Sequence, residues 1–248
     1  MEWLYGRNSV TEALRARRRR VRRVLLASGA HGLERLQAEA ARARVPLEDV
    51  ERHRLDQLVA GAHHQGVLAE AEPFAYVHLD DLLEQNVDRP PFLLALDSLQ
   101  DPQNFGSLLR TALAVGVTGV LLPEHRAVRV TPAVSNASAG AVEHLAVARV
   151  TNLARALDRL KEHGVWVYGL AADAAQPYWQ TDLQGPLALV VGSEGSGLGR
   201  LVRETCDGVV HIPMLPASTE SLNASVAGSL VLYEAFRQRA GYPVSRSG

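Results

Sequence analysis

The chain has 248 residues, of which 47% are hydrophobic and 21% are charged, and this balance excludes an intrinsically disordered protein. No stretch approaches the roughly 20 consecutive apolar residues that a membrane-spanning helix needs, and the first residues lack the apolar core of a secretory signal. We therefore expect a cytoplasmic protein with no membrane partner. The single cysteine, Cys206, excludes an internal disulfide and a cysteine-rich zinc site.

Positive charge is concentrated near the amino terminus, although the formal net charge of the whole chain is only -1. Residues 1–75 contain 13 arginines and 10 acidic residues, whereas the rest of the chain has an excess of acidic residues. A run of arginines could neutralise several phosphates of a nucleic acid, and we predict RNA contacts for Arg15, Arg17, Arg18, Arg19, Arg20, Arg22 and Arg23. The alternative is a solvated helix end, because Lys161 is the only lysine and arginine is the usual cation of this chain.

Residues 1–75 are predicted to form a small α/β domain. Ser9 and Glu12 have the spacing of a capping box ahead of a short helix. Further helices are predicted at Leu33–Arg44 and Leu55–Ala60, and strands at Val24–Ala27 and Gly66–Ala71. The polar stretch that ends in Arg-Pro-Pro at residues 89–91 predicts a linker over residues 76–91.

From Phe92 onward, short apolar runs alternate with helical patterns, which predicts a second α/β domain over residues 92–248. Continuous apolar runs of this length are typical of strands in a parallel sheet that is covered on both faces. The predicted strands are Phe92–Leu96, Gly119–Leu122, Val165–Leu170, Leu187–Val191 and Val209–Ile212. The predicted helices are Asn104–Val115, Leu153–His163, Leu198–Cys206 and Leu222–Ala240.

Three polar clusters follow predicted strands, where open α/β sheets bind their ligands. They are residues 97–110, residues 192–199, and Ile212-Pro-Met together with residues 221–228. The glycines of the second cluster have the spacing GxGxG rather than the GxGxxG of a dinucleotide site, and the sequence contains no GxxxxGK[ST]. HExxH, CxxC and GxSxG are also absent, so zinc-hydrolase and serine-hydrolase chemistry lack support and no metal is expected.

Together, the three clusters resemble the three motifs of the SpoU-type branch of the SPOUT RNA methyltransferases. The motifs are Asp-Pro-x-Asn-x-Gly with a following arginine, Gly-x-Glu-Gly-x-Gly, and Ile-Pro-Met with Ser-Leu-Asn-x-Ser, and they occur here in the family's order. Ser138-Ala-Gly-Ala141 resembles a further family element. The resemblance implies a SPOUT α/β domain with a deep trefoil knot, S-adenosylmethionine as cofactor and methylation of a ribose 2′-hydroxyl in RNA. It also implies a homodimer in which each site borrows residues from its neighbour.

The amino-terminal 75 residues resemble the ribosomal-protein-like RNA-binding domain of one subgroup of this family. His64-Gln-Gly-Val67 is similar to that subgroup's signature. This resemblance points to the enzymes that methylate a guanosine of 23S ribosomal RNA. Two alternatives stay open, namely the same enzyme acting on tRNA and an RNA-binding or ribosome-assembly protein without catalysis.

The resemblance assigns five residues to the catalytic site, which are Arg110, Asn104, Glu194, Ser221 and Asn223. Arg110 would act on the 2′-hydroxyl, and because a guanidinium stays protonated in proteins, stabilising the developing alkoxide is physically easier for it than acting as a base. Capping of a following helix could instead explain Asn104, Ser221 and Asn223. A glutamate in a tight glycine turn must be paired or solvated, which favours a functional role for Glu194.

The resemblance also places the cofactor among six residues. Gly192, Gly195 and Gly197 would let the backbone approach the cofactor closely. Ile212 and Leu222 would line the pocket and offer main-chain hydrogen bonds to the adenine, and Met214 would join them.

Overall fold

The amino-terminal part of the chain folds around a four-stranded mixed sheet. The computed structural model describes residues 1–84, 90–125, 127–215 and 221–241. Its first strands are β1 (Glu2–Tyr5), β2 (Val21–Ala27), β3 (Leu47–Val50) and β4 (Val67–Ala71), and its first helices are α1 (Arg7–Ala16), α2 (Glu34–Ala43) and α3 (Arg52–Leu58). The sheet order is β1-β4-β2-β3, in which β4 runs antiparallel to both neighbours and β2 pairs with β3 in parallel. Strands β1, β2 and β3 therefore run in the same direction.

The carboxy-terminal part is built on a seven-stranded parallel sheet. Its strands are β5 (Phe92–Leu96), β6 (Gly119–Pro123), β7 (Val147–Val150), β8 (Trp166–Leu170), β9 (Gln176–Pro177), β10 (Leu187–Val191) and β11 (Gly208–His211). The remaining helices, in chain order, are α4 (Leu79–Glu84), α5 (Pro102–Ala114), α6 (Pro132–Ala137), α7 (Leu153–Glu162), α8 (Arg200–Thr205) and α9 (Ala224–Arg239). The strand order is β7-β6-β5-β10-β8-β11-β9, with parallel pairing throughout, so the α/β prediction is confirmed.

Contacts between residues divide the chain into two units, and neither unit is one continuous segment. The first unit consists of Met1–Ala75 together with Phe105–Arg110 and Arg129–His144, and the second contains the remaining segments. Residues 76–91, predicted as a linker, belong to the second unit where they are described. Leu82 of α4 is fully buried there, and Val77 forms a bridge to Ala148 of β7. No helix of the described ranges is long and apolar enough to span a bilayer.

Helix α1 begins at Arg7, so the predicted capping box at Ser9 and Glu12 is wrong. Its N-cap is Gly6, whose φ of 89° lets the chain turn from β1 directly into the helix. Ser9 is a buried residue of α1, and its hydroxyl lies 2.6 Å from the hydroxyl of Ser135. Glu12 instead pairs with His144 at 2.8 Å. The capping motif fails because a glycine at the strand end fixes the helix start.

Arg19 is buried, which corrects its predicted role as an RNA contact. Its guanidinium is 2% exposed and forms a two-pronged pair with Glu143, including a 2.8 Å bond from Nε to Oε2. Glu143 also accepts a 2.7 Å bond from the hydroxyl of Ser135. Burial disfavours the charged guanidinium, but the bonds and charges of Glu143 and Glu2 outweigh this effect and raise the pKa of Arg19. Each of its three guanidinium nitrogens donates to a partner inside the first unit, so the buried side chain is not available to a phosphate.

Candidate active site

Three polar side chains from distant segments meet beyond the carboxyl ends of the strands of the second unit. The amide of Asn104 donates a 2.7 Å bond to Oε1 of Glu194. The amide of Asn223 donates a 2.9 Å bond to Oδ1 of Asn104 and a further bond to the same Glu194 oxygen. One carboxylate is thus held by two amides. Three of the five residues predicted for catalysis therefore form one hydrogen-bonded cluster.

Helix capping explains part of this geometry, but not at Asn104. Asp101 is the N-cap of α5, where its carboxylate accepts a 2.8 Å bond from the backbone N–H of Asn104, and Pro102 occupies the first turn. The side chain of Asn104 is therefore available for the cluster. Asn223 does cap α9, because its Oδ1 accepts bonds from the backbone N–H groups of Ser225 and Val226. Its Nδ2 serves the cluster at the same time.

The glycine loop after β10 needs glycine at two of its positions. A Cβ on Gly192 would lie 2.3 Å from the carbonyl group of Gly197, which no relaxed structure permits. Gly197 has a φ of 63° and exchanges two 3.1 Å backbone bonds with Ser193, which closes the loop. A Cβ on Gly195, by contrast, would meet nothing within 4 Å. Close approach and turn geometry therefore account for Gly192 and Gly197 but not for Gly195.

A cavity of about 280 Å³ lies beside this loop. Every residue predicted to bind the cofactor lines it, namely Gly192, Gly195, Gly197, Ile212, Met214 and Leu222. Glu194 and Ser221, both predicted for catalysis, line it as well. Segments that lie between residues 170 and 227 thus form one concave site at the place where parallel sheets bind ligands.

The cavity suits a molecule with flat apolar faces and a positive charge. Leu170, Val210 and Leu222 supply apolar surface, and Glu194 supplies a carboxylate. The buried Nδ1 of His211, another lining residue, has no hydrogen-bond partner among the described residues. S-adenosylmethionine, the cofactor expected from the sequence, carries an adenine and a sulfonium, so its chemistry fits this lining.

Arg110 takes no part in the hydrogen bonds of the cluster. It is exposed on α5, and its side chain makes no hydrogen bond or ion pair with any residue that the structure describes. Six residues along an α-helix separate it from Asn104, which turns its side chain about 120° away around the helix axis. The sequence prediction that Arg110 acts on the substrate therefore stays a prediction.

The other members of the arginine run differ in how far their charge is neutralised. Arg15 pairs with Glu12, Arg22 with Glu70, and Arg23 with both Glu70 and Glu48. No carboxylate of the described ranges pairs with the exposed Arg17, Arg18 and Arg20. Among the described residues of the run, the positive charges of Arg17, Arg18 and Arg20 are therefore the ones that no carboxylate neutralises.

Two residues of the site were not predicted from the sequence. Ser225 donates its hydroxyl to Oδ1 of Asn223 at 2.6 Å, and it could have been found from its place in the Ser-Leu-Asn-x-Ser motif. Asp97 is buried at the end of β5, and its carboxylate accepts a 2.6 Å bond from the backbone N–H of Gly199. An acidic residue directly after an apolar strand was the signal for this tie to the glycine loop.

Comparison with known proteins identifies the same two parts. The profile of the SpoU rRNA Methylase family matches residues 91–233, and the profile described as RNA 2'-O ribose methyltransferase substrate binding matches residues 3–77. A putative TrmH family tRNA/rRNA methyltransferase of Bacillus subtilis is 44% identical over 96% of both chains. A 23S rRNA (guanosine-2'-O-)-methyltransferase of Pseudomonas putida is 43% identical over 96% of this chain and 97% of its own.

A solved structure shares the fold. The crystal structure of the SpoU methyltransferase AviRb from Streptomyces viridochromogenes, determined with AdoMet, covers 96% of this chain and 90% of its own with a TM-score of 0.79 at 24% identity. The parallel sheet with its glycine-loop cavity and the amino-terminal substrate-binding domain define an RNA methyltransferase. The chain belongs to the SpoU rRNA methylase family, which confirms the resemblance found in the three motifs.

Proposed function

We propose that this chain transfers the methyl group of S-adenosylmethionine to the ribose 2′-hydroxyl of a guanosine in 23S ribosomal RNA. The observation that carries the proposal is the Asn104–Glu194–Asn223 cluster beside a cavity lined by all six predicted cofactor residues. The name of the Pseudomonas putida relative supports 23S rRNA and guanosine as the substrate. The Bacillus subtilis relative, whose name includes tRNA, keeps tRNA as the second candidate.

Residues of the chain would act on the two reacting groups separately. S-adenosylmethionine supplies an electrophilic methyl group on a sulfonium. The residues that line the cavity would hold and orient the cofactor, and the glycine loop would let the backbone approach it closely. Arg110 would donate hydrogen bonds to the 2′-oxygen as that oxygen releases its proton to water and develops negative charge. The oxygen would form its bond to the methyl carbon as the bond from that carbon to sulfur breaks. Ser221 and the amide-held carboxylate of Glu194 position the ribose.

A homodimer is part of this proposal, because Arg110 and Asn104 point to different sides of α5. Arg110 of one subunit would complete the site of the other. A stripe of apolar residues on α9 supports a second copy as the neighbour, since Val226, Leu230, Tyr233 and Phe236 recur on one helix face and are 36% to 53% exposed. The trefoil knot, the boundaries at residues 75 and 92, and a cytoplasmic location remain expectations of the same proposal.

Transfer of labelled methyl groups tests the substrate. Purified protein is given unmodified 23S rRNA and unmodified tRNA transcripts, and the modified nucleotide is mapped. We expect a 2′-O-methylguanosine in 23S rRNA only. Methylation of tRNA alone would replace the proposed substrate, and binding of 23S rRNA without transfer to any RNA would indicate the non-catalytic alternative.

Variants at Arg110 test its role. Arg110→Ala should reduce transfer at least 100-fold, as loss of an oxyanion-stabilising donor does, while the affinity for S-adenosylmethionine measured by calorimetry stays within about twofold. Equal loss of transfer and cofactor affinity would contradict the assignment. Light scattering of the same proteins should give a dimer, and an active monomer would remove the shared site.

A further inference from the structure

One edge of the amino-terminal sheet gathers arginine and histidine side chains on neighbouring helix starts and loops. Strands β1, β2 and β3 run in the same direction, so their carboxyl ends lie at the same edge, next to the start of β4. The residues that follow these ends, or precede β4, form what is called here the loop-edge surface: Arg7, His31, Arg52, His53, Arg54 and His63. All except the half-buried Arg7 are exposed.

The positive charge of this surface is not used inside the protein. No carboxylate in the described ranges pairs with Arg7, Arg52 or Arg54, although Glu51 is adjacent in sequence to Arg52. The arginine run on the opposite edge is neutralised in part, since four of its seven members have carboxylate partners and Arg17, Arg18 and Arg20 have none among the described residues. Arg7 lies in the first turn of α1, and Arg52 and Arg54 lie in the first turn of α3. An arginine without a carboxylate partner at such an exposed helix start is available to a phosphate.

Buried hydrogen bonds fix the shape of these loops. His64 is 3% exposed, its Nδ1 accepts a 3.0 Å bond from the backbone N–H of Gly66, and its Nε2 therefore donates a 2.7 Å bond to Asp56 of α3. This histidine ties the loop before β4 to the helix that carries Arg52 and Arg54.

A second tie joins the same loop to α1. Gln65 has a φ of 53°, and its side-chain oxygen accepts a 3.2 Å bond from the backbone N–H of Arg7. Its backbone carbonyl accepts a 3.3 Å bond from Nε of Arg7, which holds the guanidinium at the surface. The His64-Gln65 pair thus organises both ends of the loop-edge surface before any ligand arrives.

We propose that the loop-edge surface, rather than the arginine run alone, binds phosphates of the RNA substrate. This inference rests on the proposed function, in which the substrate is RNA. Preformed loops lower the entropic cost of binding, and each arginine that neutralises a phosphate releases counterions. The surface therefore contributes salt-dependent affinity and positions the RNA, whereas chemistry takes place elsewhere.

The test compares two double variants that remove the same charge. Arg52→Ala/Arg54→Ala removes two unpaired arginines of the loop-edge surface. Arg35→Ala/Arg42→Ala is the matched control, because these arginines are 63% and 70% exposed but are paired with Glu12 and Glu39. Filter binding to a 23S rRNA transcript is measured over a range of KCl concentrations, together with the KM for RNA, kcat and the affinity for S-adenosylmethionine.

We expect the loop-edge variant to weaken RNA binding by about tenfold or more at 0.1 M salt and to lower the salt slope by about 1.5, as two lost phosphate contacts require. The KM for RNA should rise in parallel, with kcat and cofactor affinity unchanged. Arg52→Lys/Arg54→Lys should restore most of the binding, since a phosphate accepts either cation. The control variant should bind like wild type.

Two outcomes would overturn the inference. One is an unchanged salt slope and KM in the loop-edge variant, and the other is an equal loss in the control, which would indicate a general effect of charge. Failure of the proposed function looks different. If the wild-type protein methylates tRNA instead of 23S rRNA, the same variants are compared on the tRNA transcript, where the loop-edge surface makes the same prediction.

Discussion

Removing Arg19 should destabilise the protein far more than removing any exposed arginine nearby. The side chains of Arg19 and Glu143 are 2% and 1% exposed. Among the described residues, Arg19→Ala therefore leaves the buried carboxylate with the hydroxyl of Ser135 as its one side-chain partner. Breaking a buried ion pair on one side costs about 3–5 kcal/mol. The contact of Arg19 with the ring of Phe74, at 5.6 Å from the centroid, is lost as well.

Urea denaturation followed by circular dichroism measures this cost. With a slope of about 1–3 kcal/mol per molar urea, the midpoint should fall by at least about 1 M. Arg22→Ala is the control, because its side chain is 59% exposed and its pair with Glu70 at 3.5 Å is worth at most about 1 kcal/mol. Arg19→Met/Glu143→Leu should recover most of the stability, since apolar residues replace both charges. A midpoint for Arg19→Ala no lower than that of Arg22→Ala would refute the reasoning.

Three further variants or probes address the active-site unit. Gly192→Ala should abolish binding of S-adenosylmethionine in calorimetry because the new Cβ would clash with the backbone of Gly197. Gly195→Ala is the control and should bind the cofactor like wild type. Similar affinities of the two variants for the cofactor would show that the loop adapts. Asn223→Ala should lose about 1 kcal/mol of stability with the cap and most methyl transfer with the cluster, and transfer at the wild-type rate would remove the cluster from catalysis. Burial, together with the negative charge of Asp207, raises the pKa of Cys206 to about 11. Iodoacetamide at pH 8, followed by mass spectrometry, should therefore label this thiol much more slowly in the folded protein than in the unfolded one. Equal labelling rates would contradict the burial of Cys206.

Regular, fully apolar strands were predictable to the residue. Phe92–Leu96 and Leu187–Val191 have the predicted bounds because each is buried at every position, so the apolar run and the strand coincide. Strand β7 and helix α4 were missed, since the four residues of β7 include an arginine and α4 lies in a polar stretch with a single fully buried residue, Leu82. Short elements of this kind are fixed by their packing and carry little local signal.

The active-site cluster was predictable as a set of residues but not as a geometry. The motifs predicted Asn104, Glu194 and Asn223 as site residues. Only the fold shows that the carboxylate of Glu194 accepts hydrogen bonds from the amides of both asparagines. The start of α5 was misplaced because Asp101 and Asn104 can both cap a helix, although the proline after Asp101 favoured the earlier position. The burial of Arg19 could not be predicted, since Glu143 lies 124 residues away in sequence and the neighbouring arginines are exposed.

The same ion pair changes how the two parts of this enzyme can be separated. The first unit contains Phe105–Arg110 and Arg129–His144 as well as the amino-terminal segment, and Arg19 joins the two stretches of sequence through Glu143. Ser9 and Ser135 add a second buried link between them. Deletion of residues 1–75 would remove Arg19 and leave the buried carboxylate of Glu143 without its ion-pair partner. A loss of methyl transfer in that variant would therefore not measure RNA binding alone. Substitution of Arg52 and Arg54 avoids this loss of a buried ion pair, because neither arginine pairs with a carboxylate of the described residues.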